Sequence, residues 1–129
     1  MRSDKVMIVD DALFMRAMLR KALAGADGLE VLEAPDGPAA IQLYREQRPM
    51  LVLLDISMPG MNGIEVLQAL REFDPEACVV MCSAIGQENM ILEAVNSGAA
   101  DFIVKPFKNE QILAAVELAR SRRDGGVAT

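Results

Sequence analysis

Several apolar runs of the sequence are followed at once by a side chain able to do chemistry. These side chains are Asp10, Asp11, Asp55, Ser83 and Lys105. Three carboxylates that ionise in one pocket repel each other, so such a pocket either raises a pKa or binds a hard divalent cation. Oxygen ligands and few carboxylates suit Mg²⁺, which keeps some waters and recruits a phosphate. A lysine there places a positive charge opposite a developing anion.

The elements that would position these side chains alternate along the chain. Short apolar runs predict strands at residues 5–9, 50–54, 77–82 and 101–104, and alternation of apolar and polar residues predicts a further strand at 29–34. Apolar residues at helical spacing predict helices at 12–24, 36–47, 63–72, 88–97 and 108–122. Strict alternation with short connections predicts an α/β fold, in which helices cover both faces of a parallel sheet.

Ligands of open α/β sheets bind beyond the carboxyl ends of the strands, where the five side chains are expected to meet. Four of them have an ordinary explanation when taken alone. Asp11 would cap the first helix, Asp55 would form a turn, Ser83 would be a satisfied loop hydroxyl, and Lys105 would be solvated. Their joint placement at one sheet edge favours a functional site.

Composition excludes several classes of protein. The 129 residues suffice for one domain, and the absence of histidine excludes imidazole-based catalysis and His-ligated zinc. Two cysteines, Cys78 and Cys82, exclude a Cys₄ site and a disulfide framework, and they are expected to be buried and inert. A net charge of −6 argues against nucleic acid and anionic membranes. Without an export signal or a long apolar run, we expect a cytoplasmic protein.

Four ordered motifs resemble those of response-regulator receiver domains. They are Met7-Ile8-Val9-Asp10-Asp11, residues 53–63 (LLDISMPGMNG), Cys82-Ser83-Ala84 and Val104-Lys105-Pro106-Phe107. The resemblance covers roughly residues 4–122. It implies a flavodoxin-like (βα)5 doubly wound fold with strand order 2-1-3-4-5 and five helices. The receiver domain would occupy residues 1–123, and residues 124–129 would form a loose tail.

The resemblance also implies a phosphorylation site. Asp55 would accept a phosphoryl group from a histidine kinase and form an aspartyl phosphate. Mg²⁺ would be held by Asp11, the Asp55 carboxylate and the backbone carbonyl of Ser57, with Asp10 acting through water. Lys105 would neutralise the phosphoryl oxygens, and its bond to the following proline would be cis. The chain would not be an enzyme, although it would assist its own phosphorylation and dephosphorylation.

A switch would follow from the attached group. Ser83 would hydrogen-bond a phosphoryl oxygen, and its inward movement would open space for Phe102 to turn. This would bias a surface made of the fourth helix, fifth strand and fifth helix. In the family, threonine is more frequent at the position of Ser83 and tyrosine at the position of Phe102. The alternative interpretation of Phe102 is an ordinary aromatic residue at a strand edge. Ser57 and Ile85 would flank the phosphoryl group and tune its lifetime.

The segments 80–87 and 99–107 look most like stand-alone chemotaxis response regulators. This narrower resemblance implies a chemotaxis kinase as phosphodonor, a flagellar motor switch protein as output partner, a phosphatase as a further candidate partner, and a monomer. No output domain is expected after the fifth helix. The alternatives are a phosphorelay intermediate and a receiver cut from a longer transcription regulator.

Two other uses of this fold suit the sequence poorly. An FMN carrier needs aromatic stacking, yet the chain has no tryptophan and one tyrosine. A phosphatase with an aspartate nucleophile needs a second carboxylate two residues on, where Ser57 stands.

The first predicted helix is unusually apolar. Seven of the eight residues 12–19 (ALFMRAML) are apolar, more than one buried helix face requires. Two interpretations are open. In the first, some of Leu13, Phe14 and Met18 are exposed beside the site and form a docking patch for a kinase or phosphatase. In the second, the helix is densely packed between the sheet and the fifth helix.

Overall fold

Five strands and five helices alternate along residues 4–125, which are the residues that the computed structural model describes. The strands are β1 (Lys5–Val9), β2 (Glu30–Ala34), β3 (Leu51–Asp55), β4 (Val79–Ser83) and β5 (Asp101–Val104). The helices are α1 (Leu13–Leu23), α2 (Gly37–Gln47), α3 (Gly63–Phe73), α4 (Glu88–Asn96) and α5 (Asn109–Arg123). All ten predicted elements are therefore confirmed.

The strands form one parallel sheet in the order β2-β1-β3-β4-β5. This confirms the doubly wound fold and the strand order that the motifs implied. β2 lies on one side of β1, and β3 lies on the other side. The chain therefore changes direction across the sheet after β2, and β1 and β3 are neighbours. Their carboxyl ends therefore lie side by side, with Val9, the last residue of β1, opposite Leu54, the residue before Asp55. A ligand site is expected at this switch point of an open sheet.

Apolar side chains fill both faces of the sheet. Residues of α2, α3 and α4 pack on one face, and residues of α1 and α5 pack on the other. Strands covered on both faces need apolar residues at every position, which explains the continuous apolar runs of β1, β3 and β4. Cys78 and Cys82 are buried free thiols, as predicted. Burial raises the pKa of Cys82 to about 12, so this thiol stays protonated.

Two strand ends differ from the prediction in a way that matters for the site. Asp55 and Ser83 are the last residues of β3 and β4, whereas the sequence pattern placed each just after its strand. The parallel ladder continues through both positions, since Asp55 pairs with Cys82 and Ser83 pairs with Val104. Sheet geometry therefore fixes the backbone of both residues.

The helix starts test the expectation that Asp11 caps the first helix. The Asp36 carboxylate caps α2 by accepting the Ala39 N–H at 2.8 Å. Asp11 does not cap α1, whose N-cap residue is Ala12 and which lacks a side-chain cap. The ordinary explanation of Asp11 is therefore wrong.

The bounds given above for the receiver domain stay a prediction. Helix α5 ends at Arg123, where the predicted domain ends. Residues 126–129 of the predicted tail lie outside the described residues, so the tail itself stays a prediction. Within residues 4–125, no helix has the length and apolar content needed to cross a bilayer.

Candidate functional site

Three carboxylates converge at the carboxyl edge of the sheet. One oxygen each from Asp10, Asp11 and Asp55 lies within 4.8 Å of the others. Asp10 and Asp11 follow β1, and Asp55 ends the neighbouring β3, so the strand order brings the three together. Asp10 and Asp55 are buried, whereas Asp11 is exposed. The expected meeting of these residues is therefore found.

Lys105 directly follows the edge strand β5 and joins this acidic cluster. Its Nζ donates to Asp55 Oδ1 at 3.1 Å and to Asp10 Oδ2 at 3.3 Å. Its side chain is only 20% exposed, so its interpretation as a solvated lysine is wrong. The Lys105 backbone N–H donates to the Ser83 carbonyl at 2.7 Å, and the bond to Pro106 is cis as expected. A fixed cation therefore faces both buried carboxylates.

The environment raises the pKa of the Asp55 carboxyl. Burial is the largest cause, and the charge of Asp10 adds to it, while Lys105 opposes both. Burial also acts to lower the pKa of Lys105, but Asp55 and Asp10 outweigh it and raise that pKa overall. The lysine therefore stays charged, and repulsion among the carboxylates is only partly relieved.

The donor set fits Mg²⁺. Three carboxylates against one ammonium leave two negative charges uncompensated, which matches a divalent cation. All the donors are oxygens, and the exposure of Asp11 leaves room for the waters that this ion retains. The Ser57 N–H donates to Asp55 Oδ1 at 3.3 Å, which places this residue beside the carboxylate. Its carbonyl as a metal ligand stays a prediction.

Ser83 carries a hydroxyl that has no hydrogen-bond partner within residues 4–125. The residue is fully buried, and its Oγ finds no hydrogen-bond partner among the described residues. This contradicts its interpretation as a satisfied loop hydroxyl. A buried polar group without a partner costs about 1–3 kcal/mol, so such a group deserves a functional explanation. A hydroxyl that lies one strand from Asp55 and lacks a partner is ready to bond an additional group there.

Phe102 and Ile85 are both exposed large apolar side chains. Phe102 lies on the edge strand β5, opposite Met81 of β4. Ile85 lies in the loop between β4 and α4, two residues after Ser83, and is 79% exposed. Both positions agree with those expected from the motifs, while their roles stay predictions.

Helix α1 presents apolar side chains to solvent beside the acidic cluster. Leu13 is 71% exposed and Phe14 is 73% exposed, while Met18 is also exposed. The opposite face of the helix is buried through Leu19 and Leu23. Of the two interpretations of this apolar helix, the exposed patch is therefore correct and dense packing on all sides is wrong. We call Leu13, Phe14 and Met18 the α1 patch.

Sequence reasoning missed two residues at the site. Gly63 lies against the Asp55 backbone, since a Cβ there would come 2.2 Å from the Asp55 carbonyl oxygen. Its place after Asn62, with Glu65 completing a capping box, was a readable sign of a helix start. Arg16 donates to the Asp10 carbonyl at 2.7 Å, and no sequence signal distinguishes it from a surface arginine.

Comparison with known proteins agrees with this geometry. Residues 6–117 match the family described as response regulator receiver domain. The chain is 47% identical to the chemotaxis protein CheY of Listeria monocytogenes over 115 residues, covering 89% of this chain and 97% of that protein. It is 46% identical to CheY of Thermotoga maritima, covering 87% and 93%.

More distant relatives and solved structures extend the comparison. Sporulation initiation phosphotransferase F of Bacillus subtilis is 35% identical, with 91% of this chain and 94% of that protein covered. The receiver domain of NtrX from Brucella abortus superposes with a TM-score of 0.83 at 33% identity, covering 88% of this chain and 96% of that one. The fold and the relatives agree, and the chain belongs to the response regulator receiver domain family.

Proposed function

We propose that this two-component signalling protein is switched by phosphorylation of Asp55 in the presence of Mg²⁺. The observation that carries the proposal is the buried Asp55 carboxylate, which lies within 4.8 Å of two further carboxylates and 3.1 Å from the Lys105 ammonium. Such a site supplies what phosphoryl transfer needs, which is positioning and charge stabilisation around the transferred group.

The transfer step balances with the groups present. A carboxylate oxygen of Asp55 attacks the phosphorus of a phosphohistidine, and a P–O bond forms as the P–N bond breaks. The electron pair of that bond stays on the imidazole nitrogen, which takes a proton from water. Lys105 stabilises the phosphoryl oxygens by its charge. Mg²⁺, when held by Asp10, Asp11, Asp55 and the Ser57 carbonyl, supplies further positive charge for these oxygens.

The attached group gives the Ser83 hydroxyl a partner. Because this hydroxyl is buried and has no partner in the described part of the chain, a bond to a phosphoryl oxygen relieves an existing cost and favours the conformation that makes it. Space left by Ser83 admits the Phe102 ring. The surface of α4, β5 and α5 then changes, and this surface binds the output protein.

The chain acts on itself and is not a turnover enzyme. Water ends the signal by attacking the phosphorus of the aspartyl phosphate, which breaks the new P–O bond and releases inorganic phosphate with the Asp55 carboxylate. Residues at the rim of the site control how water reaches the phosphorus. We assign this role to Ser57, beside the carboxylate, and to Ile85, in the exposed loop after β4.

Likeness to the CheY proteins supports a chemotaxis role. We assign a chemotaxis histidine kinase as the phosphodonor, the flagellar motor switch as the output partner and the cytoplasm as the location, with the chain acting as a monomer. A relay role is the second candidate, because a relative at 35% identity is named a phosphotransferase. Transfer of the group from the phosphorylated chain to a histidine phosphotransfer protein would favour the relay.

The proposal is tested by intact mass after incubation with Mg²⁺ and acetyl phosphate. We expect the protein to gain one phosphoryl group, and we expect a chelator to prevent the gain. Borohydride reduces an aspartyl phosphate to homoserine, so peptide mapping after reduction should find homoserine at position 55. Absence of the gain, or homoserine at another position, would overturn the proposal.

The α1 patch is expected to serve the phosphodonor. Phe14→Ala should slow transfer from the phosphorylated kinase about tenfold, because an exposed aromatic beside the site offers contact area to a partner. Transfer from acetyl phosphate should not change, since a small donor does not touch the patch. Leu92→Ala, an exposed apolar change on α4, is the matched control. Equal slowing with both donors would show that Phe14 acts on the site rather than on docking.

The lifetime of the phosphoryl group is expected to depend on the two rim residues. Ile85→Glu should accelerate decay of the phosphoprotein several-fold, because a carboxylate at the rim can orient water where an apolar side chain cannot. Ser57→Asn should also alter the decay rate. Both variants should still be phosphorylated by acetyl phosphate, with decay followed by mass after removal of the donor. Unchanged decay in both would refute this role.

A further inference from the structure

We propose that Arg16 is a positioning residue of the metal site, holding the backbone that carries the first two carboxylates. The inference rests on the proposed function, since it concerns the same site. Arg16 lies one turn into α1, and its side chain is 15% exposed. Its guanidinium donates through Nη1 to the Asp10 carbonyl at 2.7 Å and through Nε to Glu33 Oε1 at 3.0 Å.

The hydrogen bond from Arg16 to the Asp10 carbonyl oxygen fixes the orientation of a whole peptide unit. This oxygen belongs to the peptide unit that joins Asp10 to Asp11, and a peptide unit is planar. Anchoring the oxygen therefore orients the backbone from which the exposed Asp11 side chain extends. Asp10 is held further by its N–H, which donates to Ala34 O at 3.2 Å, and by its Oδ1, which accepts the Ala12 N–H at 2.9 Å. Among the described residues, Arg16 is the only one whose side chain donates a hydrogen bond to this peptide oxygen.

The Glu33 carboxylate compensates the positive charge of Arg16, so that this arginine can lie near a cation site without repelling the cation. The Glu33 carboxylate on β2 accepts from Arg16 and also from Arg20, whose Nε lies 2.8 Å from Oε2. Hydrogen bonding by Arg20 is the largest cause that lowers the pKa of Glu33, so the carboxylate stays ionised at neutral pH. Its negative charge compensates Arg16. The guanidinium thus supplies geometry while the acidic cluster keeps its net negative charge.

Arg20 provides a matched control. It lies on the same helix four residues later, carries the same charge and pairs with the same Glu33 carboxylate. Its other hydrogen bond goes to the Val31 carbonyl at 3.4 Å, on strand β2. Comparing Arg16→Gln with Arg20→Gln therefore separates the contact with the Asp10 peptide from the loss of charge and of the Glu33 pair.

The decisive measurement is the affinity for Mg²⁺ by titration calorimetry, without any phosphodonor. We expect Arg16→Gln to weaken Mg²⁺ binding about tenfold, the size seen when groups that orient metal ligands are removed. Arg20→Gln should change it less than twofold. Charge alone predicts the opposite sign for Arg16→Gln, since removing a positive charge near the cluster should tighten cation binding. A purely structural role predicts no difference between the variants once both are folded.

Phosphorylation by acetyl phosphate provides the second measurement. At low Mg²⁺ the Arg16→Gln protein should react more slowly than the parent, and at saturating Mg²⁺ most of the rate should return. If Arg16→Gln does not fold, Arg16→Lys replaces it, because a single ammonium cannot hold both partners in the same fixed geometry. Equal or tighter Mg²⁺ binding by the Arg16 variant overturns the inference. Failure of the parent to be phosphorylated would instead overturn the proposed function, because the Mg²⁺ titration does not depend on it.

Discussion

Asp55→Asn is expected to abolish phosphoryl incorporation and, in the absence of divalent cations, to make the folded protein more stable. The amide cannot attack phosphorus as a carboxylate does, so the intact mass should stay unchanged with acetyl phosphate and Mg²⁺. The amide has nearly the shape of the carboxyl group, so the strand end is preserved. Loss of function with gain of stability is the expected signature of a site built from repelling charges.

The gain of stability follows from the direction of the pKa shift. The folded protein raises the pKa of Asp55 above its ordinary value of 3.8, through burial first and the Asp10 charge second. A raised carboxyl pKa means that the folded state disfavours the ionised form. The stabilising contribution is present below the ordinary pKa and is lost as pH rises through the folded pKa. At neutral pH the ionised carboxylate therefore destabilises the fold, and the neutral amide removes this cost.

Urea unfolding tests the stability of the variant. At pH 7 with a chelator, Asp55→Asn should have the higher free energy of unfolding. Mg²⁺ should stabilise the parent more than the variant, because the variant lacks one of the three carboxylates proposed to hold the ion, and a bound ion stabilises the state that binds it. The difference measured in chelator should shrink as pH falls towards the ordinary carboxyl pKa. A variant less stable than the parent in chelator, or one that still gains a phosphoryl group, would contradict the expectation.

Much of this architecture could be predicted from sequence because its causes are local in the chain. Continuous apolar runs separated by amphipathic stretches dictate a parallel sheet covered on both faces. Parallel strands all end at one edge, so the side chains at those ends must meet. The convergence of Asp10, Asp55 and Lys105 follows from that rule and requires no knowledge of side-chain packing.

The remaining features depend on contacts that a sequence pattern does not encode. The α1 patch is exposed because only one face of α1 packs against the core. The sequence does not distinguish an apolar residue that is buried from one that is exposed. The missing partner of Ser83 depends on the positions of every nearby polar atom. Arg16 and Gly63 contact the backbone of Asp10 and Asp55 across a loop, and such contacts carry no compositional signal.

Gly63→Ala is expected to produce the largest structural effect of a single methyl group at this site. A Cβ at position 63 would lie 2.2 Å from the Asp55 carbonyl oxygen, 2.7 Å from the Ile56 Cα and 3.0 Å from the Asp55 carbonyl carbon. All three are backbone atoms at the end of β3, so no flexible side chain can move aside. The Gly63 N–H also donates to the Ile56 carbonyl at 2.8 Å, which draws the two segments together.

The surrounding contacts prevent the helix from retreating at low cost. Helix α3 is held by the Asn62–Glu65 capping box and by the buried side chains of Ile64 and Leu67. Overpacking in such a setting costs about 1–3 kcal/mol and sometimes more, and we expect the free energy of unfolding to fall by about 3 kcal/mol. A strand end displaced by about 1 Å would also slow phosphorylation up to 100-fold, because the nucleophile loses its alignment.

Gly25→Ala is the control for this prediction. A Cβ at Gly25 would meet the Leu113 side chain at 3.4 Å and the Ala22 carbonyl oxygen at 3.5 Å, which are ordinary contacts. Urea unfolding and the initial rate with acetyl phosphate should therefore be near those of the parent for Gly25→Ala and strongly reduced for Gly63→Ala. If Gly63→Ala unfolds at the same urea concentration as Gly25→Ala, the close approach of α3 to the Asp55 backbone cannot be what fixes the nucleophile. The glycine would then serve only the turn into α3, and the alignment of Asp55 would depend on Lys105 and the β3–β4 ladder alone.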